Sequence, residues 1–327
     1  MARALVIGGT LFIGRALVEQ LLERGDDVTI MHRGSGTPFG DRVSEIRCDR
    51  NDIQAVDAAL EGESFDVVYD NVYDWERGTT GEQVSAAALA ASPGLRRYVF
   101  MSSVAVYNAG LDFDESDPLT PDTDPNDYNR HKAKSERALF ELHRAKGIPI
   151  TTLRPAFVFG RWNPFPREAF FWDRMLADRP IVIPEDGSTP MQWVLSDDVA
   201  RAAIRATEKD VAVGSAYNVA SDPTLTQVEY VQTLGRAAGK EPKLVHVPRQ
   251  QIQAAGGQLL GPPLYFGAYL DLPPITVNTE RLRTELGMEP TPLEDGLRET
   301  FRWYEQQPRS PQDFSWEDRL LAEVVTL

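Results

Sequence analysis

The feature that most narrows the fold is the opening stretch, RALVIGG at residues 3–9 followed by TLFIGRALVEQLLERG. A short unbroken apolar run suits a parallel strand buried on both faces. In the segment after it, Ile13, Leu17 and Leu21 recur four residues apart and share one helical face, and Gly25 stands where a left-handed residue ends a helix. Strand, glycine turn and helix in that order predict a parallel α/β sheet. The rhythm continues with strands at DDVTIMHRG, RVSEIRCD, FDVVYDNV and LRRYVFMSS, and helices over about residues 51–60 and 79–91.

This alternation predicts an α/β fold, a Rossmann-type doubly wound parallel sheet with a smaller C-terminal substrate-binding α/β region. The expected division is a dinucleotide-binding domain over 1–155, a mainly substrate-binding region over 156–310 with some segments returning to the sheet, and a tail helix in 311–327. In the first turn, Gly8 allows the tight bend after the strand and Gly14 lets the helix pack closely on the sheet, as a phosphate loop requires. Leu11 occupies the place of a middle glycine; its side chain can point away while its N–H faces a phosphate. At the end of the second strand the sequence is His32-Arg33-Gly34-Ser35, with no carboxylate for ribose hydroxyls. Arg33 and Ser35 can instead take a 2′-phosphate, which favours NADP with NAD as the alternative, unless Arg33 is a solvated loop cation. Asp49 is placed either to reach the adenine amine or to cap the helix after it.

Composition excludes several classes. A formal net charge of −15 opposes a nucleic-acid backbone as partner. One cysteine, Cys48, allows no intrachain disulfide, and the four histidines have no metal-binding spacing, so no metal is expected. There is no leader pattern and no apolar run of membrane-spanning length, so the expected location is the cytoplasm and the expected partner a small molecule, with a homodimer allowed.

Candidate catalytic residues follow the fifth strand. Ser103 stands at its end, and a later helix begins DYNRHKAK, with Tyr128 and Lys132 four apart on one face. A cation near a phenol favours phenolate, so Tyr128 can exchange a proton with a substrate hydroxyl that Ser103 holds. These motifs resemble the extended short-chain dehydrogenase/reductases of the NAD-dependent epimerase/dehydratase family, from GGTLFIG through SSVAVY and YNRHK to LRPAFVFG and SDDVARA. The GGTxFIG loop is similar to an atypical branch that includes chloroplast RNA-binding relatives. The resemblance implies a triad of Ser103, Tyr128 and Lys132, with Lys132 also bonding the nicotinamide ribose. It places further cofactor contacts at Thr10, Leu11, Phe12 and Ile13, at Asn71, Val72 and Tyr73, and at Pro155 and Val158.

The chain departs from the family's nucleotide-sugar enzymes at several points. Phe157 and Met191 stand where epimerases carry the asparagine and arginine that contact a diphosphate, with Arg154, Arg161, Arg281 and Arg283 as candidate substitutes. Val104-Ala105 follows the catalytic serine where dehydratases carry Asp-Glu. The expected activity is therefore NAD(P)-dependent hydride transfer at a secondary alcohol or ketone. Nucleotide-sugar epimerisation is the alternative, and a non-catalytic NADP-binding sensor the alternative of another class. Trp162, Phe165, Tyr265 and Tyr269 are candidate pocket walls or simple packing, and SWEDRLLAEVVTL is expected to form a short amphipathic helix.

Overall fold

The structure is a computed structural model that describes residues 1–324. Five strands, β1 (Arg3–Ile7), β2 (Asp27–His32), β3 (Ser44–Arg47), β4 (Val67–Asp70) and β5 (Arg97–Met101), alternate with α1 (Phe12–Glu23), α2 (Ile53–Leu60) and α3 (Gly81–Ala90). The helix α4 (Asp127–Lys146) follows. With the strands Ile150–Pro155 and Ser215–Val219, β1–β5 form one seven-stranded sheet whose neighbours all pair in parallel. From one edge the order is β3, β2, β1, β4, β5, Ile150–Pro155, Ser215–Val219. The chain direction across the sheet reverses between β1 and β4, and such a switch opens a crevice beyond the strands' C-terminal ends.

The strands are apolar on both faces because helices cover both. Leu17, Leu21, Val199 and Ala203 pack on one side of the sheet, where α1 lies against the helix Ser196–Glu208. Val56, Val84, Ala87 and Leu139 pack on the other, contributed by α2, α3 and α4. α1 ends as its sequence predicts, with Gly25 at φ 80°. The cap of α2 differs from the expectation. Asp52, not Asp49, accepts the Ala55 N–H, since it directly precedes the first helical residue.

A second core lies among residues from Phe159 to Leu320, centred on Trp172, Trp193 and Tyr230. The rings of Trp193 and Tyr230 stack at 3.6 Å, and short parallel pairs join Phe157–Phe159 to Trp193–Leu195 and Pro180–Pro184 to Lys243–Val247. Met191 is buried in this core, among apolar side chains. The tail helix Ser315–Val324 packs on the chain's own body. Leu320 enters the second core, and Trp316 Nε1 donates to the Ala255 carbonyl at 2.7 Å. Arg174, itself buried, donates from Nε to Glu317 at 2.9 Å. The last residues of the predicted helix, 325–327, lie outside the described part.

The ion pairs of the tail helix should differ sharply in weight. Glu317→Ala leaves a buried guanidinium without its carboxylate and is expected to cost about 3–5 kcal/mol. Asp318→Ala, which removes a more exposed pair with Arg179, is expected to cost less than about 1 kcal/mol. Urea unfolding of the two variants checks the order.

Candidate functional site

The loop ends of β1, β4, β5 and Ile150–Pro155 face the crevice, and they carry the residues that the sequence singled out. The first turn needs glycine at two points. At Gly14 an added Cβ would lie 1.9 Å from the Gly8 carbonyl oxygen, and at Gly8, with φ 88°, it would lie 2.4 Å from Val72 Cγ2. Leu11 needs none, because its backbone is extended (φ −143°, ψ 149°) and its side chain is half exposed. α1 starts with no side-chain cap and no acidic residue in its first turn. Its leading N–H groups and positive end are thus left for an anion, and the loop fits a dinucleotide pyrophosphate. Asn71 is tied to this loop: its N–H donates to the Ile7 carbonyl at 3.0 Å and its amide approaches the Gly8 carbonyl at 3.5 Å.

At the end of β2 the charges are already paired. Arg33 is not a free cation, since its Nη1 donates to Asp74 Oδ2 at 2.8 Å, although its side chain stays 56% exposed. Arg77 reaches the same Asp74 oxygen with Nε at 2.9 Å and with Nη2 at 2.6 Å. Burial pushes the Asp74 carboxyl up, but hydrogen bonds from the Arg77 and Glu76 N–H groups and the Arg77 side chain bring it down to about 2. Asp49 accepts from the Asn51 N–H at 3.0 Å and from Arg77 at 2.8 Å.

Ser103, Tyr128 and Lys132 converge beyond β5. Ser103 Oγ accepts the Ala105 N–H at 3.1 Å, which fixes the start of a single helical turn over Val104–Val106. α4 begins at the Asn126 cap, so Tyr128 lies in its first turn and Lys132 one turn further on. Lys132 is buried and donates to the Met101 carbonyl at 2.6 Å, with Nζ 4.8 Å from the Phe100 ring and 5.9 Å from the Tyr128 ring. Burial lowers its pKa to about 8. Burial also pushes the Tyr128 phenol above its ordinary value, while a hydrogen bond from Ser103 and the charge of Arg167 pull the other way. It is Arg167, not Lys132, whose charge bears on the phenol.

Aromatic rings surround Tyr128. Tyr73 meets it edge-on at 4.8 Å, and its own hydroxyl pairs with His131 Nδ1 at 3.1 Å. Trp75 stacks on Tyr128 at 4.9 Å and touches Phe165 at 5.3 Å and Tyr269 at 6.5 Å. Two of the four predicted pocket aromatics, Phe165 and Tyr269, therefore share a wall with the tyrosine. Trp162 lies elsewhere, with Arg15 3.7 Å over its ring, and Tyr265 is buried with its hydroxyl on Asp271 at 2.8 Å. Sequence reasoning missed Trp75 and Arg167. Trp75 carries no periodic signal, and Arg167 is one of many loop arginines.

The candidate substitutes for a diphosphate contact are all matched by acids. Arg154 is buried on Glu136, Arg161 pairs with Glu19 and Asp197, Arg281 with Glu285, and Arg283 with Asp222 and Glu289. No helix among the described residues is long and apolar enough to cross a membrane.

Comparison with known proteins agrees with this architecture. The chloroplast stem-loop binding protein of 41 kDa b from Arabidopsis thaliana is 27% identical over 99% of this chain and 85% of its own. UDP-N-acetyl-alpha-D-glucosaminuronate decarboxylase from Bacillus cytotoxicus is 23% identical over 93% of this chain and 98% of its own. The structure of Thermus thermophilus UDP-glucose 4-epimerase, solved as a complex with NAD, superposes with a TM-score of 0.74 at 22% identity, covering 94% of this chain and all of that one. A profile of the NAD dependent epimerase/dehydratase family matches residues 4–220, and with the sheet order and the phosphate loop in place the chain belongs to that family of enzymes.

Proposed function

We propose that the protein is an NAD(P)-dependent oxidoreductase acting at a secondary alcohol or ketone, with Tyr128 as the proton-transferring group. The observation that carries this reading is the meeting of Ser103, Tyr128 and Lys132 in a fold whose first helix starts uncapped after the glycine turn. The loop from Gly8 to Gly14 would hold the pyrophosphate, Asn71–Tyr73 with Pro155 and Val158 would line the nicotinamide half, and Asp49 would lie toward the adenine. When bound, the nicotinamide accepts or delivers hydride. Tyr128 takes or returns the hydroxyl proton at its phenol oxygen, and Ser103 donates a hydrogen bond to the same substrate oxygen. Lys132 would donate to the ribose hydroxyls, and a shift of its ammonium toward Tyr128 would favour the phenolate.

The relatives named for nucleotide sugars favour an epimerase as second reading. Against it stand Met191 in an apolar core and four arginines already spent on carboxylates, which leave a diphosphate without its usual counter-charges. An RNA ligand, which the name of the plant relative raises, finds little support in a net charge of −15.

A screen of ketones, alcohols and UDP-sugars for cofactor turnover identifies the substrate on which Tyr128 is then tested. Tyr128→Phe should lower turnover by about two to four decades while the cofactor dissociation constant stays within about twofold. Wild-type turnover in that variant overturns the role.

We further propose that NADP(H) is preferred, with Arg33 on the 2′-phosphate. Arg33 is half exposed, and Asp74 keeps the Arg77 donors when Arg33 turns away. Arg33→Ala should weaken NADP(H) by about 10- to 100-fold and NAD(H) little, as titration of both cofactors measures. Equal losses sink the assignment.

The lowered pKa of Lys132 gives a pH signature. The ammonium is present below about 8 and lost above it, so cofactor affinity should fall as pH rises through that value, by at most about one decade per pH unit. Lys132→Met should bind weakly at every pH and lack this limb. A flat wild-type profile in cofactor titrations from neutral to alkaline pH would remove Lys132 from the ribose contact.

A further inference from the structure

Buried arginines in this chain settle their charge in one of two ways. Arg50, Arg154 and Arg174 each have a carboxylate partner, in Asp70, Glu136 and Glu317. Arg97 has none, but its three nitrogens donate to the Arg96, Ala206 and Lys209 carbonyls and the Thr151 hydroxyl. Arg167 does neither. It is partly buried at the start of the helix Glu168–Leu176, where Nη1 donates to the Val158 carbonyl at 3.0 Å and Nε approaches the Ala268 carbonyl at 3.4 Å. Its Nη2 has no hydrogen-bond partner, and no carboxylate lies within ion-pair distance, among the described residues.

Its neighbour Glu168 is the foremost charge that bears on it, but the two form no ion pair within 4.0 Å. The Glu168 carboxylate accepts the Gly160 N–H at 3.2 Å and the Asn163 amide, and burial pushes its pKa up, which weakens it as a counter-ion. The other groups that bear on Arg167 are the phenols of Tyr128, Tyr230 and Tyr269, and the Tyr230 hydroxyl is buried with no hydrogen-bond partner. The guanidinium lies 5.1 Å from the Phe165 ring centre and 5.4 Å from that of Phe157. Phe165 in turn touches Trp75, which stacks on Tyr128. A cation beside aromatic rings, with an unused donor edge and a path of contacts to Tyr128, is placed to receive an anion from outside the chain.

We propose that Arg167 fixes substrate specificity by binding a carboxylate carried by a ring-bearing substrate, so that the carbinol or ketone of that substrate lies at Tyr128. One unpaired guanidinium edge matches one planar monoanion by its fork of N–H donors, and among the described residues no second cation lies over the Phe157 or Phe165 rings to balance a phosphate dianion. Trp75, Phe165 and Tyr269 supply apolar faces for the ring. The substrate class is thus a cyclic or aromatic hydroxy- or keto-acid. This assignment rests on the oxidoreductase reading for its place at Tyr128, but its test reads binding and not turnover.

The experiment titrates cofactor-saturated protein with benzoate, benzamide and inorganic phosphate by calorimetry, in wild type, Arg167→Gln and Arg167→Lys, with each variant's melting temperature checked first. Benzoate should bind to wild type, lose about 10- to 100-fold in Arg167→Gln, and recover part of that in Arg167→Lys, which keeps the charge without the fork. Benzamide and phosphate should bind more weakly than benzoate. Equal binding of benzoate and benzamide, phosphate binding tighter than benzoate, an unchanged benzoate affinity in a folded Arg167→Gln, or no benzoate binding at all would each overturn the proposal. If Arg167→Gln does not fold, Arg167→Lys decides, since an undiminished benzoate affinity there overturns the fork-and-carboxylate match. A protein that binds benzoate through Arg167 yet turns over no hydroxy- or keto-acid would sink the oxidoreductase reading and leave the anion site standing.

Discussion

A lysine ammonium taken out of water at the end of a parallel strand is the constraint on which the site depends. Lys132 is 4% exposed, and its hydrogen bond to the Met101 carbonyl ties α4 to the last residue of β5. Near it lies a buried charge pair, Arg50 with Asp70, to which the Tyr98 hydroxyl adds a hydrogen bond at 2.7 Å. Burial lowers the lysine's proton affinity most and Arg50 adds to that, while Asp70 and Glu136 oppose it. A buried charge without such partners would neutralise itself or disrupt the fold. With them, α4 has one stable depth and rotation, and Tyr128, one turn earlier, is delivered to the crevice beside Ser103.

That geometry follows from the sheet. Parallel strands send every C-terminal end to one edge, so residues far apart in sequence meet there without long loops. β1 brings the phosphate loop, β4 brings Asn71 to Trp75, β5 brings Ser103, and Ile150–Pro155 leads into the segment that holds Arg167. The aromatic contacts between Trp75 and Phe165 and Tyr269 then join the sheet's edge to the second core. The proposed proton-transfer and substrate-binding groups thus come from different halves of the chain, joined by rings in contact.

What the sequence made legible was local. The strand, turn and helix at residues 3–25 could be read because each signal acts within a few positions: apolar runs, four-residue spacing, a left-handed glycine. The pair Tyr128 and Lys132 could be read for the same reason, since one helical turn places them together. The fates of the charges could not. Arg33 is held by Asp74, 41 residues on, and Arg174 by Glu317, 143 residues on, and only the folded topology brings those groups into contact. Of the two roles the sequence leaves open for Asp49, the cap of α2 falls to Asp52, because both satisfy the residue-type rule and the choice depends on where helical dihedrals begin. Trp75 and Arg167 carry no local signal because their surroundings are assembled from segments far apart in sequence.

The phosphate loop shows how such a motif can lose a glycine and keep its shape. A left-handed or closely approached position demands glycine, whereas an extended one accepts any residue. Here Leu11 is extended, and the left-handed backbone falls on Phe12, with φ 48°. A side chain at such a φ costs about 1–3 kcal/mol unless the surroundings hold it. Phe12 is partly buried against the core formed by α1 and the sheet, and burying a phenylalanine side chain is worth about 1.5–3 kcal/mol when complete. The ring's partial burial offsets part of the strain of its own backbone. The middle glycine is therefore dispensable in this chain because an apolar anchor one residue later holds the turn that a glycine would otherwise have made easy.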